Sequence, residues 1–130
     1  MKLLLDTHTV IWYLEGSPQL PETARAYIED LANPCQVSVA LLWEMAIKSG
    51  LGRLELRASI SDLVAHYLHD DDILILGITP VHLDRVRELP GHHKDPFDRL
   101  LVAQALVEDV ALLSRDEVFD AYGVRRIWSA

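Results

Sequence analysis

Cysteine, long apolar runs and positive charge are all scarce in this sequence of 130 residues. Cys35 is the only cysteine, which excludes an intrachain disulfide and a zinc site built from several thiolates, and fits a reducing compartment. The apolar start of the chain ends at Asp6, too early for the core of a signal peptide. No apolar run approaches the roughly 20 residues that span a bilayer. We therefore expect a soluble, cytoplasmic protein with no membrane segment.

The 12 lysines and arginines are outnumbered by 20 aspartates and glutamates, which gives a net charge of −8. Taken alone, this balance argues against nonspecific nucleic-acid binding, which relies on basic residues to neutralise phosphates. The objection weakens if part of the acidity belongs to an active site that binds cations. Half of the residues are apolar, enough to bury a core and to argue against a disordered chain.

Glycine and proline punctuate the chain without a linker, repeat or low-complexity segment that would divide it. We therefore predict a single domain over residues 1–130, close to the usual domain size. Short apolar runs predict strands at 2–5, 36–39, 73–78, 111–113 and 124–128. Helical patterns occupy 7–14, 23–31, 41–48, 60–69, a segment from 80, 97–108 and 117–122. This alternation predicts an α/β protein, a three-layer α/β/α sandwich whose central, mostly parallel sheet has four to five strands and is covered on both faces.

Four carboxylates fall where predicted strands end or the next helices begin. Asp6 follows the first strand and Asp116 the fourth, whereas Glu44 and Asp98 lie in the first turns of their helices. Because sites in open parallel sheets form outside the carboxyl ends of the strands, we expect all four at one edge. Asp6 and Asp116 could instead only cap the following helices, and Asp98 could complete a capping box with Asp95.

Glu44 is the acid hardest to explain as a cap. Residues 40–47 around it are almost entirely apolar; such a helix is buried, and a buried carboxylate is costly unless it is paired or binds a metal. Lys48, one turn later, is the alternative partner.

Convergence of the four acids would be unfavourable without cations. Two unit charges about 4 Å apart repel by about 4 kcal/mol at an effective dielectric near 20. All-oxygen ligands suit Mg²⁺ or Mn²⁺ rather than zinc. Two such ions would activate a water and stabilise the leaving oxygen of a phosphoryl displacement.

Four segments of the sequence resemble the PIN-domain family, in particular its VapC-like toxins of bacterial toxin–antitoxin systems. They are LLDTH at 4–8, WEMAIK at 43–48, DPFDRLL at 95–101 and LSRD at 113–116. The segments occur in family order, and the resemblance extends over nearly the whole chain. It implies a Mg²⁺- or Mn²⁺-dependent endoribonuclease that cleaves RNA, is usually a homodimer, and is held inactive by a small antitoxin protein.

The resemblance also implies which residues form the site. The catalytic and metal-binding acids are Asp6, Glu44, Asp98 and Asp116. Polar positions near the site, expected to assist substrate binding, are Thr7, Ser38 and Ser114. Either Asp95 or Asp120 could replace or assist one of these acids, and the role of Asp116 varies most within the family.

Basic residues and histidines near these acids offer further candidates. Arg99 and Arg115 each adjoin a proposed metal-site acid and could bind substrate phosphates or, equally, pair with those carboxylates. No two histidines have the His-x-x-x-His spacing of a helical metal site. His93 lies in a segment interpreted as a solvated loop that could touch RNA. His8, two residues beyond Asp6, is the histidine most worth testing.

Two other functions stay open at this point. A receiver-like signalling or binding domain without nuclease activity would have a similar size and an acidic site. It would also have an adjacent acidic pair after the first strand and a lysine after the last strand of the site; here Thr7 follows Asp6, and Asp116 occupies the later position. A phosphatase with an aspartyl nucleophile would have a second aspartate where His8 stands.

Overall fold

The computed structural model describes residues 1–69 and 72–128, apart from the side chain of Tyr67. The strands are β1 (Leu3–Leu5), β2 (Cys35–Ser38), β3 (Leu74–Leu76), β4 (Ala111–Leu113) and β5 (Arg126–Ile127). Within the described residues they form one five-stranded, fully parallel sheet in the order β3-β2-β1-β4-β5. The predicted α/β fold with a mostly parallel sheet of four to five strands is confirmed.

Helices connect these strands. The α-helices are α1 (Thr7–Glu15), α2 (Glu22–Glu29), α3 (Val39–Gly50), α4 (Ile60–Asp62), α5 (Pro80–Glu88) and α6 (Pro96–Glu108). A π-helix at Leu63–Leu68 continues α4, and a 3₁₀ helix at Glu117–Tyr122 lies between β4 and β5. Most predicted elements are found with their ends shifted only slightly. The segment 60–69 was predicted as one helix, but most of it is a π-helix. Its apolar spacing fits an α-helix and a π-helix equally well, so the sequence could not distinguish the two. Within the described part of the chain, no helix is both long and apolar enough to cross a membrane.

The sheet is buried at its centre and exposed at one edge. Every residue of β1 and β4 is buried, and because successive strand residues point to opposite faces, both faces of the centre are covered. The coverage is incomplete at β3, where Leu74 is 60% exposed and Ile75 is also exposed. Among the strands that the structure describes, β3 pairs with β2 alone and is an edge strand. Val81 and Leu83 on α5 are exposed as well, and these four apolar residues, Leu74, Ile75, Val81 and Leu83, are called the edge residues below.

Candidate active site at the carboxyl edge of the sheet

Asp6 and Asp116 follow the neighbouring strands β1 and β4, and the Ser114 hydroxyl joins them. It donates to Asp6 Oδ2 at 2.5 Å and accepts the backbone N–H of Asp116 at 3.0 Å. The other carboxylate oxygen of Asp6 accepts the N–H of Thr9 at 2.9 Å. Ser114 is fully buried and Asp6 is 7% exposed. This network therefore holds the Asp6 carboxylate in one orientation at the strand end.

Both acids also cap the helices that follow them. Asp6 is the N-cap of α1, and Asp116 caps the 3₁₀ helix by accepting the N–H of Val118 at 3.1 Å. The capping interpretation is therefore correct as a description of their local bonds. It does not exclude metal binding, since a carboxylate oxygen has further lone pairs. In addition, Oδ2 of Asp116 has no hydrogen-bond partner among the described residues.

Glu44 is buried, at 5% exposure, as its apolar surroundings predicted. Its Oε1 accepts a 2.5 Å hydrogen bond from the Thr7 hydroxyl, and its Oε2 lies 3.0 Å from Nζ of Lys48. The ion pair considered as the alternative for this acid therefore exists. Because Thr7 directly follows Asp6, the Thr7–Glu44 bond joins α3 to the start of α1, next to Asp6.

Asp98 is not part of a capping box. The cap of α6 is Asp95, whose Oδ1 accepts the N–H groups of Phe97 and Asp98 at 2.8 and 3.2 Å. In a capping box the N–H of Asp95 would donate back to the Asp98 carboxylate, but it donates instead to Nδ1 of His93 at 3.2 Å. The capping-box alternative for Asp98 is therefore wrong, because its carboxylate takes no part in the cap of α6.

The other acids of the site affect the pKa of Asp98. Burial and the nearby charge of Asp95 raise the pKa of Asp98 from its ordinary 3.8 to about 6, and the charges of Glu44 and Asp6 act in the same direction, whereas His93 opposes them. A group crowded by like charges favours its neutral form unless a cation is present. The site therefore concentrates negative charge around Asp98.

His93 is the residue at this site that sequence reasoning missed. Its Nε2 lies 2.8 Å from Oδ2 of Asp98. Potential ligand atoms of His93, Asp98 and Asp116 all lie within 4.8 Å of one another. The interpretation of this segment as a solvated loop is wrong for His93, which is half-buried. Its one sequence signal is its position two residues before Asp95, where an imidazole can accept the N–H of a helix cap.

The remaining candidates lie in different environments. Ser38 is fully buried at the end of β2 and caps α3 by accepting the N–H of Ala40 at 3.0 Å. Asp120 forms a two-point ion pair with Arg126, with N–O distances of 2.8 and 3.1 Å. This pair lowers the pKa of Asp120. With its carboxylate engaged in this way, Asp120 is not placed to replace one of the four acids.

The two candidate arginines also differ. The Arg99 guanidinium donates to four backbone carbonyls, those of Val86, Leu89, Pro90 and His93, at 2.9–3.3 Å. Its donors are used to fasten the segment before α6, so the structure does not favour Arg99 as a phosphate ligand or as a partner of the carboxylates. Arg115 is exposed and lies 5.7 Å from the centre of the Trp12 ring. It lines a cleft of about 540 Å³ that Asp6, Asp116 and His8 also line.

The donor set fits a hard divalent cation. Asp6, Asp98 and Asp116 offer carboxylate oxygens, the ligands that Mg²⁺ and Mn²⁺ prefer. Oδ1 of Asp98, like Oδ2 of Asp116, accepts no hydrogen bond from the described residues. Burial and the neighbouring charge of Asp95 raise the pKa of Asp98, and a bound cation would favour its charged form. The site therefore combines free ligand oxygens with a charge that is not compensated by the protein.

Known proteins share this architecture. The PIN domain family model matches residues 3–124 of the chain, whereas no curated protein matches it. In the structure of VapBC2 from Rickettsia felis bound to a promoter DNA fragment, one chain is similar with a TM-score of 0.74, 16% identity, and coverage of 99% of this chain and 100% of that one. FitAcB from Neisseria gonorrhoeae gives 0.63, 22%, 96% and 96%, and DNA-bound VapBC from Salmonella typhimurium gives 0.72, 16%, 98% and 97%.

At such identities the similar structures establish the fold, and the family model covers nearly the whole chain. The acidic cluster described above lies within the matched residues. Nucleases of this family generally use a divalent metal ion. The chain therefore belongs to the PIN-domain family of nuclease-type hydrolases.

Proposed function

We propose that this protein is an endoribonuclease that hydrolyses RNA phosphodiester bonds with Mg²⁺ or Mn²⁺, through a single nuclease domain over residues 1–130. The observation that supports it most is the position of the Asp98 carboxylate, which lies near the charges of other acids and has one oxygen without a partner among the described residues. Asp6, Glu44, Asp98 and Asp116 are the proposed catalytic and metal-binding residues. Bound there, the ion supplies Lewis-acid chemistry, acidifying water and stabilising charge on a leaving oxygen.

The protein's own residues orient the acids. Ser114 and Thr7 donate to Asp6 and Glu44, and both hydroxyls are buried. We therefore assign Ser114, Thr7 and the buried cap Ser38 to positioning of the strand ends and helix starts. Direct contact with RNA, which the family resemblance suggested for them, is less consistent with their burial.

Arg115 is the basic residue best placed for a substrate phosphate. It is exposed, and it lines the same cleft as Asp6 and Asp116. Its position over the Trp12 ring reduces the entropy lost when the guanidinium meets a phosphate, because a cation–π contact already restricts it. The net charge of −8 disfavours RNA binding, but Arg115 supplies positive charge locally, in the cleft where the substrate phosphate would lie.

We further propose that the protein is the toxin of a toxin–antitoxin pair, in the cytoplasm, with a small antitoxin as its partner. Support comes from the similar chains in the VapBC and FitAcB structures. We also propose a homodimer. The edge residues support it, because apolar side chains such as Leu74 and Val81 stay exposed in the single chain, where a second copy could bury them.

A cleavage assay on a defined single-stranded RNA tests the enzymatic proposal. Cleavage should require Mg²⁺ or Mn²⁺ and stop in EDTA. Asp6→Asn and Asp98→Asn should each lower the rate by at least about 100-fold, since even outer-shell residues of metal sites typically contribute about 10- to 100-fold. Asp84→Asn, an exposed position on α5, removes the same charge away from the site and is the matched control. Undiminished cleavage by Asp98→Asn would contradict the site assignment.

No observation favours the receiver-like alternative. Ser114, Arg115 and Asp116 follow β4, where a receiver-like site would have its lysine. Ser114 instead donates to Asp6 and accepts the backbone N–H of Asp116.

A further inference from the structure

We propose that His93 is a positioning residue of this site: its imidazole holds one oxygen of the Asp98 carboxylate and leaves the other to a divalent cation. The inference rests on the proposed metal-dependent function and extends it to a residue outside the four acids. The bond concerned joins Nε2 of His93 to Oδ2 of Asp98 at 2.8 Å.

The hydrogen bonds of the ring decide which nitrogen bears the proton. The backbone N–H of Asp95 donates to Nδ1 at 3.2 Å, so Nδ1 is an acceptor. A neutral imidazole has one donor and one acceptor nitrogen, and the proton is therefore on Nε2. Nε2–H then donates to Asp98 and has no lone pair for a metal. Although His93, Asp98 and Asp116 are close enough to share an ion, this tautomer makes the histidine an orienting donor and not a ligand.

The backbone around His93 is fixed from the same helix that bears Asp98. Arg99, the next residue after Asp98, donates to the carbonyl of His93 at 3.3 Å and to that of Pro90 at 2.9 Å. The ring also lies beside Phe119, with 6.4 Å between ring centres. Donor and acceptor of the His93–Asp98 bond are thus held on connected backbone, which lowers the entropy lost in forming it.

Fixing one carboxylate oxygen matters because ligand geometry limits cation binding. Mg²⁺ requires near-octahedral coordination and is commonly held through few carboxylates. Hydrogen bonds to ligating groups orient them, and their removal typically weakens metal affinity or activity by about 10- to 100-fold. Asp6 has such donors in Thr9 and Ser114. For the Asp98 carboxylate, His93 is the donor that the described residues provide.

Mn²⁺ binding, measured by electron paramagnetic resonance of the free ion at pH 7.5, tests the proposal independently of catalysis. His93→Ala should weaken binding by about tenfold. His93→Gln should stay within about threefold of the wild type, because its amide nitrogen reaches a position similar to Nε2 and can donate to Asp98. His92→Ala is the matched control, since that ring packs edge-on against Tyr122, 5.3 Å between centres, and forms no described bond to an acid.

Unchanged Mn²⁺ affinity in His93→Ala would overturn the proposal, as would an equal loss in His93→Gln and His93→Ala. Pulsed electron paramagnetic resonance of the wild type with Mn²⁺ gives a test that needs no variant. Coupling of Mn²⁺ to a directly coordinated imidazole nitrogen would make His93 a ligand and would also overturn the proposal. The absence of such coupling would support the proposal. If the wild type bound Mn²⁺ no more tightly than Asp98→Asn, the result would instead contradict the proposed function, on which this inference rests.

Discussion

The candidate site has a closed half and an open half, which hold their acids in different ways. In the closed half, Asp6 and Glu44 are buried, and both oxygens of each carboxylate have a hydrogen-bond or ion-pair partner. In the open half, Asp98 is half-buried and Asp116 is exposed, and one oxygen of each lacks a partner among the described residues. The closed half thus compensates its buried charge, while the open half leaves charge uncompensated where a cation can bind.

This difference predicts opposite effects on stability. Removing a partner in the closed half leaves a buried charged group without its hydrogen bond, which is among the costlier changes in a folded protein. Removing a charge in the open half relieves repulsion, as expected of a functional site that reduces stability. The three predictions below compare the two halves through the free energy of unfolding.

Ser114→Ala should have the largest effect. It removes the donor to Asp6 and the acceptor for the N–H of Asp116 at a fully buried position. Because hydrogen bonds to charged groups contribute about 1.5–3 kcal/mol, we expect the free energy of unfolding to fall by about 2–3 kcal/mol. Urea denaturation followed by tryptophan fluorescence measures it. Ser61→Ala, at an exposed position, should change it by less than about 0.5 kcal/mol. Equal values for the two variants would show that the closed half is not held by this hydroxyl.

Asp98→Asn should have a smaller effect of opposite sign. Since the pKa of Asp98 is raised to about 6, the folded state binds more protons than the unfolded state between about pH 4 and 6, and stability falls as the pH rises through that window. A two-unit shift corresponds to about 3 kcal/mol at most, and partial exposure reduces it. We therefore expect a gain of about 1–2 kcal/mol for the variant at pH 8 in EDTA.

The same variant has two internal checks. Most of its advantage should disappear by about pH 4, because Asp98 is then protonated in the folded state and partly protonated in the unfolded state. Asp84→Asn should show no comparable gain at pH 8. Added Mn²⁺ should stabilise the wild type more than the variant, because a ligand that binds only the folded state raises its stability. A variant less stable than the wild type at pH 8 without metal would place Asp98 in the closed half.

The sequence predicted the closed half better than the open half, for a physical reason. Asp6 directly follows β1, and Glu44 lies in the helix that follows β2; the alternation of strands and helices places such residues at one sheet edge. The burial of Glu44 also followed from its apolar neighbours. These inferences need only local periodicity, which the sequence displays directly.

The open half depends on irregular backbone that no periodicity describes. His93 reaches Asp98 because Arg99 fastens the preceding segment through carbonyl groups, and carbonyls have no signature in the sequence. In the same way, Asp120 pairs with Arg126 across the turn into β5, a contact that depends on how that turn folds. The placement of such residues could therefore not be predicted, although their chemistry could.

Lys48→Met should have the smallest effect. It keeps the aliphatic volume of the side chain and removes the charge that lies 3.0 Å from the buried Glu44 carboxylate. Lys48 is 38% exposed, so water can replace part of the interaction, and we expect a loss of roughly 0.5–1 kcal/mol that shrinks at high salt. Urea denaturation at low and high NaCl measures it, with the exposed Lys94→Met as control. A loss as large as that of Ser114→Ala would mean that the ion pair stabilises the closed half as much as its buried hydroxyls do. The hydrogen bond from Thr7 would then compensate the Glu44 charge less fully than its geometry indicates.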